Sequence, residues 1–553
     1  MYKQVLDPVG NSLFYSTLFA VLPIVALFIL LGGLRLAAHV AAVISLGVSI
    51  LVAIIVYSMP VGQTLDAGLE GAAFGIFPIM WIVWNAIWIY KLTEATGHFA
   101  VLRRAFERVS DDQRVQAVII AFCFGALIEA LAGFGTPVAI TAVMLIGLGF
   151  KPIKAAAVAL VANTAPVAFG AIAIPIVTLA GLTELPKEDL GAMVGRQTPI
   201  LALFVPLILV GMVDGLRGVR QAWPAAIVGG VAFAIGQFAC SNYVSVELTD
   251  IIASLLGAAA IVALLQVWSP TEPMLGEGRF DRPAIAGAAV SDPALEAETR
   301  RKEGSGRDSR SDVIAAFAPY VLIIAILAIA QWGPIKDFLD GLTKEFSWPG
   351  LNVLNAKGEA PTSVTYKFTW ASSAGTLLLV AGLLTMVWLR IGPGRAVRVY
   401  GATLNQLKWA TLTVAAVLAL AYVMNLSAQT LTIGTWIAGA GGILAFLSPI
   451  IGWLGVAVTG SDTSSNSLFG VLQVTAAKEA GLDQTLLAAA NSSGGVLGKM
   501  ISPQNLAIGA AAVGMAGKEG DIFRRVVGWS ILCLLVMCVL VYLESTVLSW
   551  MVV

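Results

Sequence analysis

The sequence GSDTSS at residues 460–465 interrupts an apolar stretch, and a second glycine-rich interruption, AGFGTP at 132–137, lies 328 residues earlier. Each interruption is followed thirty residues later by another polar break. These later breaks are NTAP at 163–166 and NSSGG at 491–495. The same arrangement of two breaks therefore occurs twice in the chain.

Paired interruptions of this kind have a direct meaning inside a membrane. The backbone cannot leave a helix in lipid unless protein or a water-filled cavity satisfies its amide groups. Corresponding breaks in two halves of a chain are the best sequence indication of a secondary transporter's substrate site. We therefore expect the four polar breaks to converge on one binding site.

The composition is that of a polytopic membrane protein. The chain is 58% hydrophobic and 12% charged, whereas a soluble domain carries about 25% charged residues. A formal net charge of zero gives no reason to expect a nucleic-acid partner. The four cysteines lie in apolar runs, and His39 and His98 lie near predicted helix ends. We expect structural roles for them, with no metal and no cofactor.

About twenty apolar residues cross a bilayer, and twelve stretches meet that requirement. They are 13–31, 36–57, 71–91, 154–181, 196–214, 223–240, 249–268, 313–332, 369–390, 407–424, 484–513 and 525–551. Two further stretches, 115–150 and 451–476, contain the glycine-rich interruptions and are predicted to be re-entrant hairpins. The predicted fold is therefore an all-α polytopic membrane protein with about twelve transmembrane helices and two hairpins.

The chain divides into two membrane halves, 1–268 and 313–553. Each half contains one hairpin and one broken helix, at 115–150 and 154–181 in the first and at 451–476 and 484–513 in the second. Residues 269–312 are rich in charge, Pro, Gly and Ala, so we predict a cytoplasmic linker between the halves.

The distribution of Lys and Arg predicts the orientation of the chain. These residues concentrate in the linker and in loops 92–114, 215–222, 391–406 and 514–524, whereas loops 58–70 and 241–248 have none. Basic loops face the cytoplasm, so both termini are predicted to lie outside. The apolar stretch 430–448 would reverse this for loop 514–524, and we interpret it as not crossing. Residues 13–214 and 313–551 then form an inverted-topology repeat.

The polar breaks offer an anion site that needs no formal cation. The first N–H groups of a helix have no partner within it, and the helix dipole places about half a positive charge there. Small residues also line close helix packings, which is the alternative interpretation for any single cluster. The candidate substrate-binding residues are Gly133, Gly135, Thr136, Asn163, Thr164, Ser461, Thr463, Ser464, Ser465, Asn491, Ser492 and Ser493.

Three charged residues, Glu129, Asp462 and Lys499, lie inside these apolar elements. A charge near the bilayer centre costs about 2.5–3.5 kcal/mol, so such residues are functional candidates. Glu129 precedes the first tip by one helical turn and Asp462 lies at the second tip, which makes both candidates for proton coupling. Lys499 could bind a substrate carboxylate or neutralise either acid. A buried ion pair that only fixes helix packing is the alternative.

Three sequence patterns resemble the L-lactate permease family. They are EALAGFGTP at 129–137, TGSDTSSN at 459–466 and GKMISPQ at 498–504, and the resemblance runs essentially end to end. It implies a symporter that moves L-lactate, D-lactate and glycolate with protons across a bacterial inner membrane. It also implies a fold similar to the ion-transporter superfamily, in which a hairpin-bearing core domain moves against a scaffold.

Other functions stay open on the sequence alone. A sodium-coupled carrier of small (di)carboxylates could use the carbonyl and hydroxyl groups of the broken helices. An intramembrane enzyme would need a nucleophile–base or metal constellation, and the sequence offers none, so we do not expect an enzyme. A channel would be distinguished by passive flux. The sequence does not rank L-lactate, D-lactate and glycolate, identify the proton-carrying carboxyl or indicate an oligomeric state.

Overall fold

The structure is a computed structural model that describes residues 1–133, 135–274, 309–330, 332–355, 358–361 and 364–553. Regular structure in these residues is almost entirely helical. Phe134 and most of the predicted linker 269–312 lie outside the described residues.

Nine helices in the described ranges are long and apolar enough to cross a membrane, and a bent pair adds a tenth. The nine are Leu13–Gly33, Ala38–Ile55, Val61–Ala95, Gln113–Leu131, Lys187–Tyr243, Arg310–Ala330, Pro393–Leu426, Gln429–Thr459 and Glu519–Glu544. The bent pair consists of Pro152–Ala162 and Val167–Thr183, and the helix axis bends by 66° between them. The predicted all-α polytopic fold is therefore confirmed.

The predicted count of twelve differs from this count for several reasons. Two of the nine, Gln113–Leu131 and Gln429–Thr459, contain arms of the predicted hairpins, and predicted span 484–513 is divided into Gln484–Gly498 and Pro503–Ala512. Predicted spans 196–214 and 223–240 share the 57-residue helix Lys187–Tyr243, whose backbone leaves the helix at Asp214 and Gly215. The two parts of this helix pack together closely, since a Cβ on Gly230 would lie 2.7 Å from the Leu203 carbonyl oxygen. Predicted spans 249–268 and 369–390 are helices of only 16 and 15 residues, Thr249–Leu264 and Ala374–Trp388.

The elements that contain the polar breaks have the same form in both halves. The first hairpin has a first arm of three helical stretches, Gln113–Gln116, Ala117–Phe124 and Gly125–Ala132, and a second arm, Thr136–Gly147; the second hairpin has arms Leu444–Thr459 and Asp462–Ala480. The first broken helix consists of Pro152–Ala162 and Gly170–Thr183, and the second of Gln484–Gly498 and Pro503–Ala512. A short helix precedes each hairpin, His98–Glu107 in the first half and Gln429–Ile437 in the second.

The apolar stretch 430–448 is not one continuous helix. Its first part belongs to Gln429–Ile437, and a 3-10 segment, Ala438–Ile443, follows with a non-helical backbone at Gly441. Its last part is the start of the second hairpin, whose first arm begins at Leu444 and not at the predicted residue 451. Whether 430–448 crosses the membrane stays a prediction, as do the inversion of the repeat and the orientation of the termini.

Small strands connect the N-terminus to the segment between Arg310–Ala330 and Ala374–Trp388. Tyr2–Lys3 pairs in parallel with Val353–Leu354, and Lys344–Ser347 pairs antiparallel with Thr365–Phe368. The helix Gly333–Asp340 precedes these strands. Tyr366 Oη donates to the Phe77 carbonyl at 2.6 Å, which attaches this segment to the long helix Val61–Ala95.

A buried ionic cluster holds the start of the predicted linker. Arg114 contacts Asp112 at 2.6 Å and Asp214 at 3.1 Å. The Met274 amide donates to Asp112 at 2.9 Å. Burial raises the pKa of Asp112, but hydrogen bonds from Arg114 and Met274 outweigh it, so the pKa is lowered overall. The first hairpin, the Asp214 break and the chain before residue 275 are thus joined at one place.

Candidate functional site

The two hairpins and the two broken helices surround one cavity of about 60 Å³. One water needs about 10–15 Å³ on this measure, so the cavity has room for a few waters or one small organic anion. Residues from all four elements line it. They are Glu129, Gly133, Val167, Gly170, Ala171, Ile174, Pro175, Gly460, Ser461, Asp462, Thr463, Lys499 and Gln504.

An ion pair between the two halves forms part of the cavity wall. Lys499 Nζ lies 2.7 Å from Glu129 Oε1, although the two residues are 370 positions apart. The Asn163 amide donates to the other oxygen, Glu129 Oε2, at 2.9 Å. Both charged residues are buried, with 3% of Glu129 and 6% of Lys499 exposed. Of Lys499's two predicted partners, the structure pairs it with Glu129.

The first broken helix makes room for Glu129 by a change of backbone. A Cβ on Gly170 would lie 2.7 Å from Glu129 Oε1, so a larger residue there would displace the carboxylate. The next three residues, Ala171, Ile172 and Ala173, all have left-handed backbone angles, with φ of 46°, 60° and 56°. Left-handed conformation costs about 1–2 kcal/mol for each residue that has a Cβ. A strained turn therefore lies against the ion pair, and strain of this kind concentrates at functional sites.

Asp462 stands at the start of the second arm of the second hairpin. Ser461 is the N-cap of this helix, and its hydroxyl accepts from the Ser464 amide at 3.3 Å. Ser492 Oγ donates to Asp462 Oδ2 at 2.5 Å, whereas Oδ1 has no hydrogen-bond partner in the described part of the chain. A Cβ on Gly495 would collide with that oxygen. Asp462 thus lines the cavity, and one of its carboxylate oxygens is buried against Gly495 without a hydrogen-bond partner in the described residues.

Behind the cavity, a network of side-chain amides joins the second hairpin to both broken helices. Asn466 Nδ2 donates to Ser492 Oγ at 3.2 Å and to the Pro175 carbonyl at 3.1 Å. Asn491 Nδ2 donates to Asn466 Oδ1 at 2.9 Å, and Gln473 Nε2 donates to Asn491 Oδ1 at 3.3 Å. This network fixes the Ser492 hydroxyl that holds Asp462.

The predicted site residues fall into three groups. Six of them line the cavity: Glu129, Gly133, Ser461, Asp462, Thr463 and Lys499. Asn163 and Ser492 stand directly behind, each hydrogen-bonded to one of the two acids. The other seven predicted residues are not part of the cavity wall: Gly135, Thr136, Thr164, Ser464, Ser465, Asn491 and Ser493. The roles of all these residues in substrate binding and proton coupling stay predictions.

Several predicted site residues that do not line the cavity make local contacts that account for their presence in the sequence. Ser465 Oγ donates to the Gly452 carbonyl across the hairpin at 3.1 Å. Thr164 Oγ1 donates to the Val161 carbonyl at 2.7 Å and satisfies part of the break. Gly135 has φ 83°, and a Cβ on it would collide with the Ile508 side chain of the second broken helix. Small residues at the hairpins therefore serve close packing as well as the cavity.

Sequence reasoning missed the stretch 167–175, which supplies five cavity residues. No residue between 171 and 175 is glycine, and the local sequence gives no signal of a left-handed turn. The prediction of three charges inside apolar elements was also incomplete. Glu70, Asp250 and Glu544 are likewise buried, with 1%, 0% and 0% exposed. An acidic residue within or beside an apolar run was the signal that could have identified them.

Known proteins match this sequence along its whole length. A family model described as L-lactate permease matches residues 16–548. The chain is 39% identical to the L-lactate permease of Bacillus subtilis (strain 168) over 573 residues, with 100% of both chains covered. It is 40% identical to the L-lactate permease of Escherichia coli (strain K12), again with 100% of both covered. It is also 40% identical to the glycolate permease GlcA of the same organism, with 100% of this chain and 99% of the relative covered.

Among solved structures, the crystal structure of the YdaH transporter from Alcanivorax borkumensis matches with a TM-score of 0.47 and 15% identity, and covers 86% of each chain. The sequence matches are far stronger, because they extend from end to end at about 40% identity. The chain therefore belongs to the L-lactate permease family.

Proposed function

We propose that this protein is a secondary active transporter that moves L-lactate, D-lactate and glycolate together with protons across a bacterial inner membrane. The substrate class follows from the names of the relatives, which are L-lactate and glycolate permeases. The single observation that supports proton coupling is the Glu129–Lys499 ion pair on the cavity wall.

The ion pair makes a proton and a substrate carboxylate mutually dependent. Lys499 is the only cation among the described residues that line the cavity, and Glu129 already occupies it at 2.7 Å. A substrate carboxylate must compete with Glu129 for Lys499. Protonation of Glu129 removes the competing charge and frees the ammonium group for the substrate. Binding of one proton therefore favours binding of one monocarboxylate.

This exchange also keeps the buried site neutral. Glu129 and Lys499 sum to zero charge before binding, Asp462 has no ion-pair partner in the described residues and is counted as the neutral acid, and a proton and a monocarboxylate add zero. An uncompensated charge at this depth would cost about 2.5–3.5 kcal/mol or more. Neutrality therefore disfavours a site occupied by the anion alone or by the proton alone, which is the thermodynamic basis of coupling.

The second hairpin supplies the groups that would hold the rest of the substrate. Asp462 lines this wall, and its buried Oδ1, which has no hydrogen-bond partner in the described residues, would accept from a 2-hydroxyl group that reaches it. Ser461 and Thr463 line the same wall with hydroxyl groups. Asp462 is also the second candidate for the proton, because no cation contacts it in the described structure. The proposal also includes an orientation in which both termini lie outside and the linker lies in the cytoplasm. During transport, a core domain rocks against a scaffold.

The test is uptake of labelled L-lactate by the full-length protein in proteoliposomes, under an imposed proton or sodium gradient. We expect accumulation driven by an alkaline interior without sodium. Glu129→Gln should abolish this accumulation but retain part of the lactate–lactate exchange. The matched control is Glu94→Gln, because Glu94 also pairs with a lysine, Lys91, at 2.8 Å but does not line the cavity.

Each possible outcome has a distinct meaning. Full pH-driven accumulation by Glu129→Gln would transfer the coupling role to Asp462, which Asp462→Asn then tests. Strict dependence on sodium would replace the proposal by a sodium-coupled (di)carboxylate carrier of related fold. Flux that equilibrates lactate but never concentrates it would indicate a channel.

A further inference from the structure

One of the buried carboxyl groups that lie outside the cavity is at the start of the helix Thr249–Leu264. Asp250 is completely buried. Its Oδ1 accepts from Gln237 Nε2 at 3.0 Å, whereas its Oδ2 has no hydrogen-bond partner in the described residues. No lysine, arginine or histidine in the described part of the chain forms an ion pair with it, unlike Glu129. An isolated buried carboxylate is very costly, so the neutral acid is the form that fits this environment.

The same glutamine connects Asp250 to the first broken helix. Gln237 Nε2 also donates to the Ala165 carbonyl at 3.2 Å. Ala165 lies in the break between Pro152–Ala162 and Gly170–Thr183. Thr198 Oγ1 donates to Gln237 Oε1 at 3.3 Å, which fixes the orientation of the amide group. One amide nitrogen therefore serves both the acid and the broken helix that lines the cavity.

The titratable groups around Asp250 come from each of the elements that pack against it. Glu129, on the first arm of the first hairpin, interacts electrostatically with Asp250. Cys240 interacts with it from the helix that carries Gln237. Cys123, on the stretch Ala117–Phe124, faces Gly257 farther along the helix of Asp250. Among these groups Glu129 is the carboxyl group, and it is paired with Lys499 at 2.7 Å.

We propose that Asp250 is a proton-binding site separate from the substrate cavity, protonated in this conformation and deprotonated during the transport cycle. This inference rests on the proposed proton symport. Movement of the first broken helix would withdraw the Ala165 carbonyl from the second N–H of Gln237 Nε2, and that N–H could then add to the one that already donates to Asp250 Oδ1. A change in the charge of Glu129, as Lys499 turns to the substrate, acts on Asp250 in the same step. Its proton occupancy therefore depends on both the backbone and the charge of the site.

The experiment compares Asp250→Asn with a matched control, Glu544→Gln, in full-length protein in proteoliposomes. Glu544 is equally buried and also accepts from a glutamine, Gln197, at 2.8 Å, but no hydrogen bond in the described residues joins that glutamine's side chain to either broken helix. We expect Asp250→Asn to lower pH-driven L-lactate accumulation at least tenfold and to retain lactate–lactate exchange. Glu544→Gln should behave like the unaltered protein in both assays.

A second readout would not respond to a purely structural role. Addition of L-lactate to the unaltered protein should change the infrared band of a protonated carboxyl group, and Asp250→Asn should remove that change. Accumulation and infrared response equal to those of the unaltered protein would overturn the inference. If the Asp250→Asn protein does not reconstitute, the pH profile of L-lactate uptake is measured for Gln237→Met instead. A shift of that profile supports the inference, and an unshifted profile overturns it. Failure of the unaltered protein to accumulate lactate under a pH gradient would instead reject proton symport itself.

Discussion

The two hairpins occupy corresponding places in the chain, yet they hold their acidic residues differently. Glu129 contacts a cation, Lys499, and an amide, Asn163. Asp462 accepts only the Ser492 hydroxyl in the described structure and keeps one oxygen free. The repeat therefore supplies two similar frameworks, but the chemistry placed on them is asymmetric. One acid is paired with a lysine from the other half, whereas the other lines the cavity without an ion-pair partner in the described residues.

The two broken helices also differ from each other at corresponding positions. Ala171–Ala173 and Lys499–Ile501 are separated by the same 328 residues as the hairpin tips. The first segment is left-handed and strained, whereas the second is an ordinary 3-10 turn that carries the lysine. The first break thus leaves space for the Glu129 side chain, and the second carries the lysine that pairs with it.

The largest effect should follow from breaking the charge balance with Lys499→Ala. Removal of one partner from a buried ion pair costs about 3–5 kcal/mol, because Glu129 would be left as an unpaired charge. We expect L-lactate uptake to fall below detection and the unfolding temperature in detergent to drop by several degrees. Uptake in proteoliposomes and thermal unfolding of the purified protein measure the two effects.

The double variant Glu129→Gln/Lys499→Met separates stability from transport. It removes both charges, so most of the lost stability should return, since a buried pair can be replaced by uncharged residues at little cost. Uptake should stay absent, because no cation remains for the substrate. A double variant as unstable as Lys499→Ala would show that the lysine side chain stabilises the fold by some other contact.

A smaller effect is expected at the other acid, through Asp462→Asn. The amide is similar in shape and can still accept from Ser492 through its oxygen, but it places an NH2 group where a substrate hydroxyl needs an acceptor. A buried donor left without its acceptor costs about 1–3 kcal/mol, so uptake of L-lactate should fall about tenfold or more while the unfolding temperature changes little. The control is Ser465→Ala on the same helix, because that hydroxyl contacts the Gly452 carbonyl and not the cavity.

Ser465→Ala should therefore reduce stability by about 1 kcal/mol and leave the apparent affinity for lactate unchanged. If the two variants affected uptake equally, the free oxygen of Asp462 would have no special role. The asymmetry between the hairpins would then lie in packing and not in substrate contact.

The sequence predicts the framework of this protein much better than its side-chain contacts. Glycine and hydroxyl residues inside apolar runs predicted both hairpins and both broken helices. They indicate non-helical backbone, which a membrane tolerates only where protein or a water-filled cavity satisfies its amide groups. The partner of Lys499 stayed ambiguous, because Glu129 lies 370 residues away and only folding brings the two together. Asp250 escaped notice because its position at a helix start resembles an ordinary helix end. The left-handed turn at 171–173 has no local signature, since the surrounding structure imposes it on residues that do not prefer it.

The smallest effect concerns that turn, and Ala173→Gly tests whether it is strained. Ala173 has φ 56° and ψ 29°, a conformation that costs an alanine about 1–2 kcal/mol but is open to glycine. We expect the glycine variant to raise the free energy of unfolding by up to about 1 kcal/mol, since the greater freedom of glycine in the unfolded chain offsets part of the relief. Ala168→Gly is the matched control, because Ala168 is equally buried in the adjacent right-handed turn Val167–Phe169.

The control should lower stability by about 0.5–1 kcal/mol, so the two variants should move the unfolding temperature in opposite directions. Equal losses would mean that the left-handed turn is held without strain. A stabilised Ala173→Gly protein with slower lactate uptake would connect the strain to the transport cycle. The turn lies against Glu129 through Gly170, and its relaxation would alter the contact that the proton and the substrate both affect. Faster or unchanged uptake would confine the role of the turn to making room for the carboxylate.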